Sequence, residues 1–120
     1  MAPALTKAQL RKFCAALPGT AEDVKWGNDL MFAVGGKIYA GIANDSATVK
    51  SLSFKVPDDQ FLAITDRPGI IPAPYAARFK WVQVNEPDRF GRKWLEAGVR
   101  TSYELVKAKL PKKVREKLKD

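Results

Sequence analysis

Apolar residues near the start of the chain recur at helical spacing, with Leu10, Phe13, Cys14 and Leu17 on one stripe. Thr6 and Gln9 are placed as a capping box, and Leu5 and Leu10 as a hydrophobic staple. Pro18-Gly19 closes the run, so the first element is predicted to be a helix. The periodicity then shortens. Residues 24–26 read as a short edge strand. Residues 30–34 and 37–42 flank Gly35-Gly36, the signal for a two-residue β-hairpin turn. Such a turn pairs Val34 with Lys37 and sets Phe32 against Tyr39. Leu30, Phe32, Val34, Lys37 and Tyr39 then share one face, and Met31, Ala33, Ile38, Ala40 and Ile42 the other. Both faces are largely apolar. Protein is expected to cover one of them and something else the other.

Residues 44–46 read as a turn and residues 48–55 as a third strand. Pro57, Asp58 and Asp59 then open a short helix that Pro68-Gly69 stops. Residues 70–75 carry prolines at 72 and 74, which excludes a helix interior or a central strand and predicts a stiff extended loop. Residues 79–84 read as a fourth strand. Phe90, Trp94 and Leu95 mark one amphipathic helix. Tyr103, Val106 and Leu110 mark another, capped at Thr101 or Ser102. Pro111 can restart a helix bearing Val114 and Leu118. The order predicts one α+β domain over residues 1–120, a mostly antiparallel sheet with β-hairpins packed against N- and C-terminal helices.

Composition narrows the chemistry. The chain has 120 residues, 46% hydrophobic and 28% charged, which suits a globular domain with one core. No apolar run reaches the ~20 residues that cross a bilayer. The first residues lack the pattern of a secretory signal, so a cytoplasmic protein without membrane contact is expected. Cys14 is alone, which rules out an internal disulfide, and its apolar stripe makes it a core residue. The absence of histidine removes the usual general base and the commonest transition-metal ligand. Glu22-Asp23 and Asp58-Asp59 are adjacent in sequence, so each pair diverges, and Asp58 and Asp59 suit a helix N-terminus. Neither Gly-x-Gly-x-x-Gly nor Gly-Lys-Ser/Thr occurs. No catalytic residue, cofactor or metal is expected.

Charge is the remaining signal. Residues 1–77 contain 8 Lys/Arg against 7 Asp/Glu, whereas residues 78–120 contain 13 against 6. A net charge of +8 gathered in this way points to a polyanionic partner, DNA foremost. Arg78 and Lys80 are interleaved with Phe79 and Trp81, a mixture of cations and aromatics suited to nucleic acid. Lys112, Lys113 and Arg115 crowd the C-terminus, and Lys37 stands at the hairpin tip. An amphipathic helix also needs a charged outer face, which accounts equally for the C-terminal lysines. Trp94 reads as core, whereas Trp26 and Trp81 suit either the core or base stacking.

Leu17-Pro18-Gly19-Thr20, Glu22-Asp23, Trp26-Gly27, residues 32–39 and Ser53-Phe54-Lys55 form one set of motifs. The proline loop from Pro68-Gly69 to Tyr75, Lys80-Trp81-Val82, Ser102-Tyr103-Glu104-Leu105-Val106 and residues 109–113 complete it. With these the chain resembles the MmcQ/YjbR-like family of small bacterial proteins. The resemblance implies a compact α+β fold likened to a "double wing" DNA-binding arrangement, with no enzymatic activity and no cofactor. Many relatives carry a histidine between the proline loop and the tryptophan, and residues 75–80 here have none. The leading expectation is a DNA-binding domain contacting phosphates through Lys37, Arg78, Lys80, Trp81, Lys112, Lys113 and Arg115. The alternative is an adaptor that binds a protein or a small apolar ligand through the Gly-Gly hairpin and the proline loop, with Phe32 and Tyr39 lining the site.

Overall fold

The structure is a computed structural model and describes residues 3–25, 28–74 and 76–118. Trp26, Tyr75 and Lys119 therefore lie outside the described residues. The first helix, α1 (Lys7–Ala15), carries both halves of the capping box. The Gln9 N–H donates to Thr6 Oγ1 at 3.1 Å, and the Thr6 N–H donates to Gln9 Oε1 at 3.0 Å. Leu5, Leu10 and Cys14 are fully buried. Burial pushes the Cys14 thiol up to about 12, so it stays protonated and unreactive at neutral pH.

Six strands follow: β1 (Thr20–Lys25), β2 (Asp29–Val34), β3 (Lys37–Ala43), β4 (Leu52–Lys55), β5 (Ile70–Pro72) and β6 (Trp81–Val84). They form one antiparallel sheet in the order β1-β2-β3-β4-β6-β5. β1 is longer than its apolar residues predict, because backbone pairing with β2 organises a segment whose side chains are mostly exposed. Only the second half of residues 48–55 joins the sheet. Thr48 instead makes an isolated bridge to Thr6. The proline loop begins as β5, an edge strand, where Pro72 leaves no ladder bond broken.

The β2–β3 turn has Gly35 at φ +58° and Gly36 at φ +82°, the backbone a two-residue hairpin requires. Val34 pairs with Lys37 as its length dictates, but a bulge then moves Phe32 opposite Ala40 instead of Tyr39. Ala40 and Ile42 accordingly turn to the face of Phe32, while Ile38 stays opposite Ala33 on the other. The bulge frees Tyr39 to enter the core. Its ring meets Tyr103 edge-on at 5.3 Å and its hydroxyl shares a 2.8 Å hydrogen bond with Thr20.

The same distortion interrupts the β3–β4 ladder, and one side chain repairs it. Ser102 Oγ donates to the Tyr39 carbonyl at 2.6 Å and accepts from the Lys55 N–H at 2.9 Å. Ser102 is thus a splice between strands and not a helix cap. The expected break at residues 101–102 is absent, and α3 (Arg92–Ala108) runs through it. Leu95, Val99, Ser102 and Tyr103 form its buried stripe. Gly98 lies against Phe54, where an added Cβ would stand 2.7 Å from the ring.

Asp58 and Asp59 begin a 3-10 turn that leads into α2 (Phe61–Thr65), as their charge favours. Pro111 stands at the N-cap of α4 (Lys112–Glu116), one position before the expected N1. Apolar residues of all four helices join a single core with the buried face of the sheet. The result is an α+β domain of two layers. No helix among the described residues is long and apolar enough to cross a membrane.

Candidate functional site

The register collects basic residues at one end of the sheet. Val34 pairs with Lys37 at the hairpin tip, and Phe54 with Ala40, so β4 ends on the level at which β3 begins. Lys55 pairs with Trp81, which puts the start of β6 at this end as well. The end of α3 and the beginning of α4 complete it, since Leu110 and Val114 sit against Gly35 of the hairpin turn. Lys37, Lys55, Arg78, Lys80, Lys109, Lys112 and Lys113 therefore converge from segments far apart in sequence. Arg115 belongs to the same short helix.

Lys37, Arg78, Lys112, Lys113 and Arg115 are exposed and Lys80 is half-buried. Arg78 and Lys80 do not lie in a strand, because a 3-10 turn (Ala77–Phe79) precedes β6. Within it the Arg78 guanidinium stands 4.8 Å from the Phe79 ring centre. The Lys80 ammonium stands 5.2 Å from that of Phe61. Lys80 adopts φ +65°, the sole non-glycine residue with positive φ among those described. That conformation disfavours a side chain by about 1–2 kcal/mol, so a lysine here runs against the local backbone preference.

Lys55 and Lys109 are not among the contacts the sequence suggests, though both lie in its motif segments. Lys55 lies in the Ser53-Phe54-Lys55 motif, which was the available signal, but only the register shows what it faces. Its ammonium donates to the Phe79 carbonyl. Burial holds its pKa below the ordinary lysine range, and Lys109 and Lys80 push the same way while Asp58 opposes them. Among the described residues the ion pairs are Arg11–Glu22, Arg89–Glu86 and Arg92–Glu96, none of them involving a cation of this cluster.

Next to the cationic end, the sheet face opposite the helices holds a groove. Met31, Ile38, Ser53, Trp81 and Gln83 form its floor, and Ala73, Pro74 and Ala76 of the proline loop are among its lining residues. Its volume is about 560 Å³. Gly41 makes room for the Met31 side chain, because a Cβ there would stand 2.5 Å from Met31 Sδ. The second apolar face read from the sequence is present, and the proline loop lies beside it. The lining differs from that expected, since Phe32 and Tyr39 are fully buried on the helix side. Trp94 is also on that side, stacked on Phe90.

A family model, YjbR, matches residues 15–105. That span takes in Lys37, Lys55, Arg78, Lys80 and Trp81 and stops short of α4. The fold is similar to the crystal structure of a Deinococcus radiodurans protein with the family domain DUF419. The two are 26% identical, with a TM-score of 0.85 over 98% of this chain and 90% of that one. A Pseudomonas syringae protein shares the fold at 19% identity, with a TM-score of 0.67 over 85% of this chain and 99% of that one. No curated protein matches the chain.

Proposed function

The chain belongs to the YjbR family, and from that premise we propose that it is a non-enzymatic DNA-binding protein. Its phosphate-contacting surface is the cationic end of the sheet. The observation that carries this is the convergence of Lys37, Lys55, Lys80, Lys109, Lys112 and Lys113, none of which is in an ion pair among the described residues, with Asp58 the one carboxylate that offsets the mutual repulsion at Lys55. Packing like charges together is unfavourable in the free protein and becomes favourable when a polyanion lies over them. Such contacts fix position and orientation and carry no base preference. A protein of this kind works where the DNA is, in the cytoplasm of a bacterium. The Phe32 and Tyr39 site of an adaptor has no counterpart here, because both side chains are buried.

Titration of duplex DNA at ~50 and ~200 mM salt is the direct test. About five neutralised phosphates give a log–log slope near −4.5, so affinity falls by a few hundredfold over that range. An affinity indifferent to salt, or absence of binding at the lower salt by duplex and single strand alike, rejects the proposal.

Lys80 supplies a second test. Lys80→Gly removes a cation and also relieves the positive-φ backbone. The variant is expected to bind DNA more weakly, with a salt slope smaller by about 1, and to unfold at equal or up to ~1 kcal/mol greater free energy. Weaker binding with unchanged slope would mean that Lys80 contacts no phosphate.

A further inference from the structure

We propose that the groove on the open sheet face receives an unpaired nucleobase, so that the preferred ligand is single-stranded nucleic acid. This rests on the DNA-binding reading and sharpens it. Trp81 lines the groove and pairs across the sheet with Lys55, whose ammonium lies at the carbonyl of Phe79, two residues before Trp81. An aromatic side chain and a lysine of the cationic cluster are thus cross-strand neighbours, the pairing that lets a base stack while its phosphate meets an ammonium.

The rest of the lining suits a base better than a purely apolar ligand. Met31, Ile38, Ala73, Pro74 and Ala76 supply apolar walls, while Ser53 and Gln83 place hydrogen-bonding groups on the floor. Asp29 offers a carboxylate that can accept from a base amino group but would repel a phosphate, so the phosphate must lie toward Lys55. Gln83 Nε2 donates to Asn85 Oδ1 at 2.6 Å, which orients the amide and leaves Oε1 to accept from a ligand. An apolar ligand would strip water from these groups and give nothing back, whereas a base edge replaces the lost hydrogen bonds. The ~560 Å³ volume falls within the ~300–1,000 Å³ of small-molecule sites. Bases stacked inside a duplex cannot enter; an unpaired one can.

Three ligands of equal length decide the matter at ~50 mM salt: a single strand with bases, an abasic strand and a duplex. The base-bearing strand is expected to bind about tenfold or more tightly than the abasic one. Trp81→Ala should erase that difference and Trp81→Phe should keep most of it. Equal affinity for the base-bearing and abasic strands would overturn the base-binding role and leave the phosphate surface standing. Failure of all three ligands to bind would instead reject the DNA-binding reading itself. Should Trp81→Ala not fold, the comparison of strands on the unaltered protein still decides.

Discussion

Ser102→Ala is expected to lower the unfolding free energy by about 2–4 kcal/mol and the melting temperature by roughly 10 °C. Ser102 is fully buried, and its hydroxyl joins two backbone groups that the bulge in β3 has parted. Removing it strands the Lys55 N–H and the Tyr39 carbonyl, each of which then bears a desolvation cost of about 1–3 kcal/mol. Water cannot easily replace the hydroxyl, because Tyr39 and Tyr103 fill the surroundings. Urea or thermal unfolding of the variant measures the effect. A loss below ~0.5 kcal/mol would show that the strands do not depend on the splice. The change should also weaken DNA binding in the folded variant, since the same hydrogen bond anchors the backbone of Lys55.

The largest functional effect is expected from reversing three charges at the cationic end, Lys80→Glu, Lys112→Glu and Lys113→Glu together. Each lost phosphate contact lowers the salt slope by about 1, and the new carboxylates repel the backbone besides. Binding at ~50 mM salt should fall by about a hundredfold or more. None of the three is buried and none is in an ion pair among the described residues, so stability should change little. Lys25→Glu, Lys50→Glu and Lys93→Glu form the control. They change net charge equally, but Lys25 pairs with Asp29 at the far end of the sheet and Lys93 begins α3. If the control weakens binding as much as the test set, net charge alone drives association and the cluster has no special part.

What sequence could show was what local physics decides. The cap of α1 needs only Thr6 and Gln9, and the hairpin turn only two glycines, so both were legible. The bulge was not. It exists because Tyr39 packs on Tyr103 and bonds Ser102, residues more than sixty positions later. Reading Ser102 as a helix cap was the same error seen from the other side, since a serine that caps and one that splices strands look alike in sequence. Arg78 is exposed and Lys80 half-buried, as a surface position requires, but Phe79 between them mimics strand alternation and hides the turn. Lys55 and Lys109 fall within the motif segments but not among the candidate phosphate contacts, because what brings them to the cluster is the register and not their neighbours in sequence. The structure also explains why the motif segments belong together. Ser53-Phe54-Lys55, Lys80-Trp81-Val82 and Ser102-Tyr103 meet where β4, β6 and α3 come together.

On the proposed function, nucleic acid lies over the end of the sheet where the hairpin tip, β4, β6 and α4 meet. Mapping backbone amide shifts by NMR as an oligonucleotide is added tests it most directly. Perturbations are expected to concentrate at Lys37, Lys55, residues 78–81 and residues 109–113 and to fade as salt rises. Perturbations centred instead on the opposite end, around Lys50, Glu86 and Arg89, or none at ~50 mM salt, would contradict it.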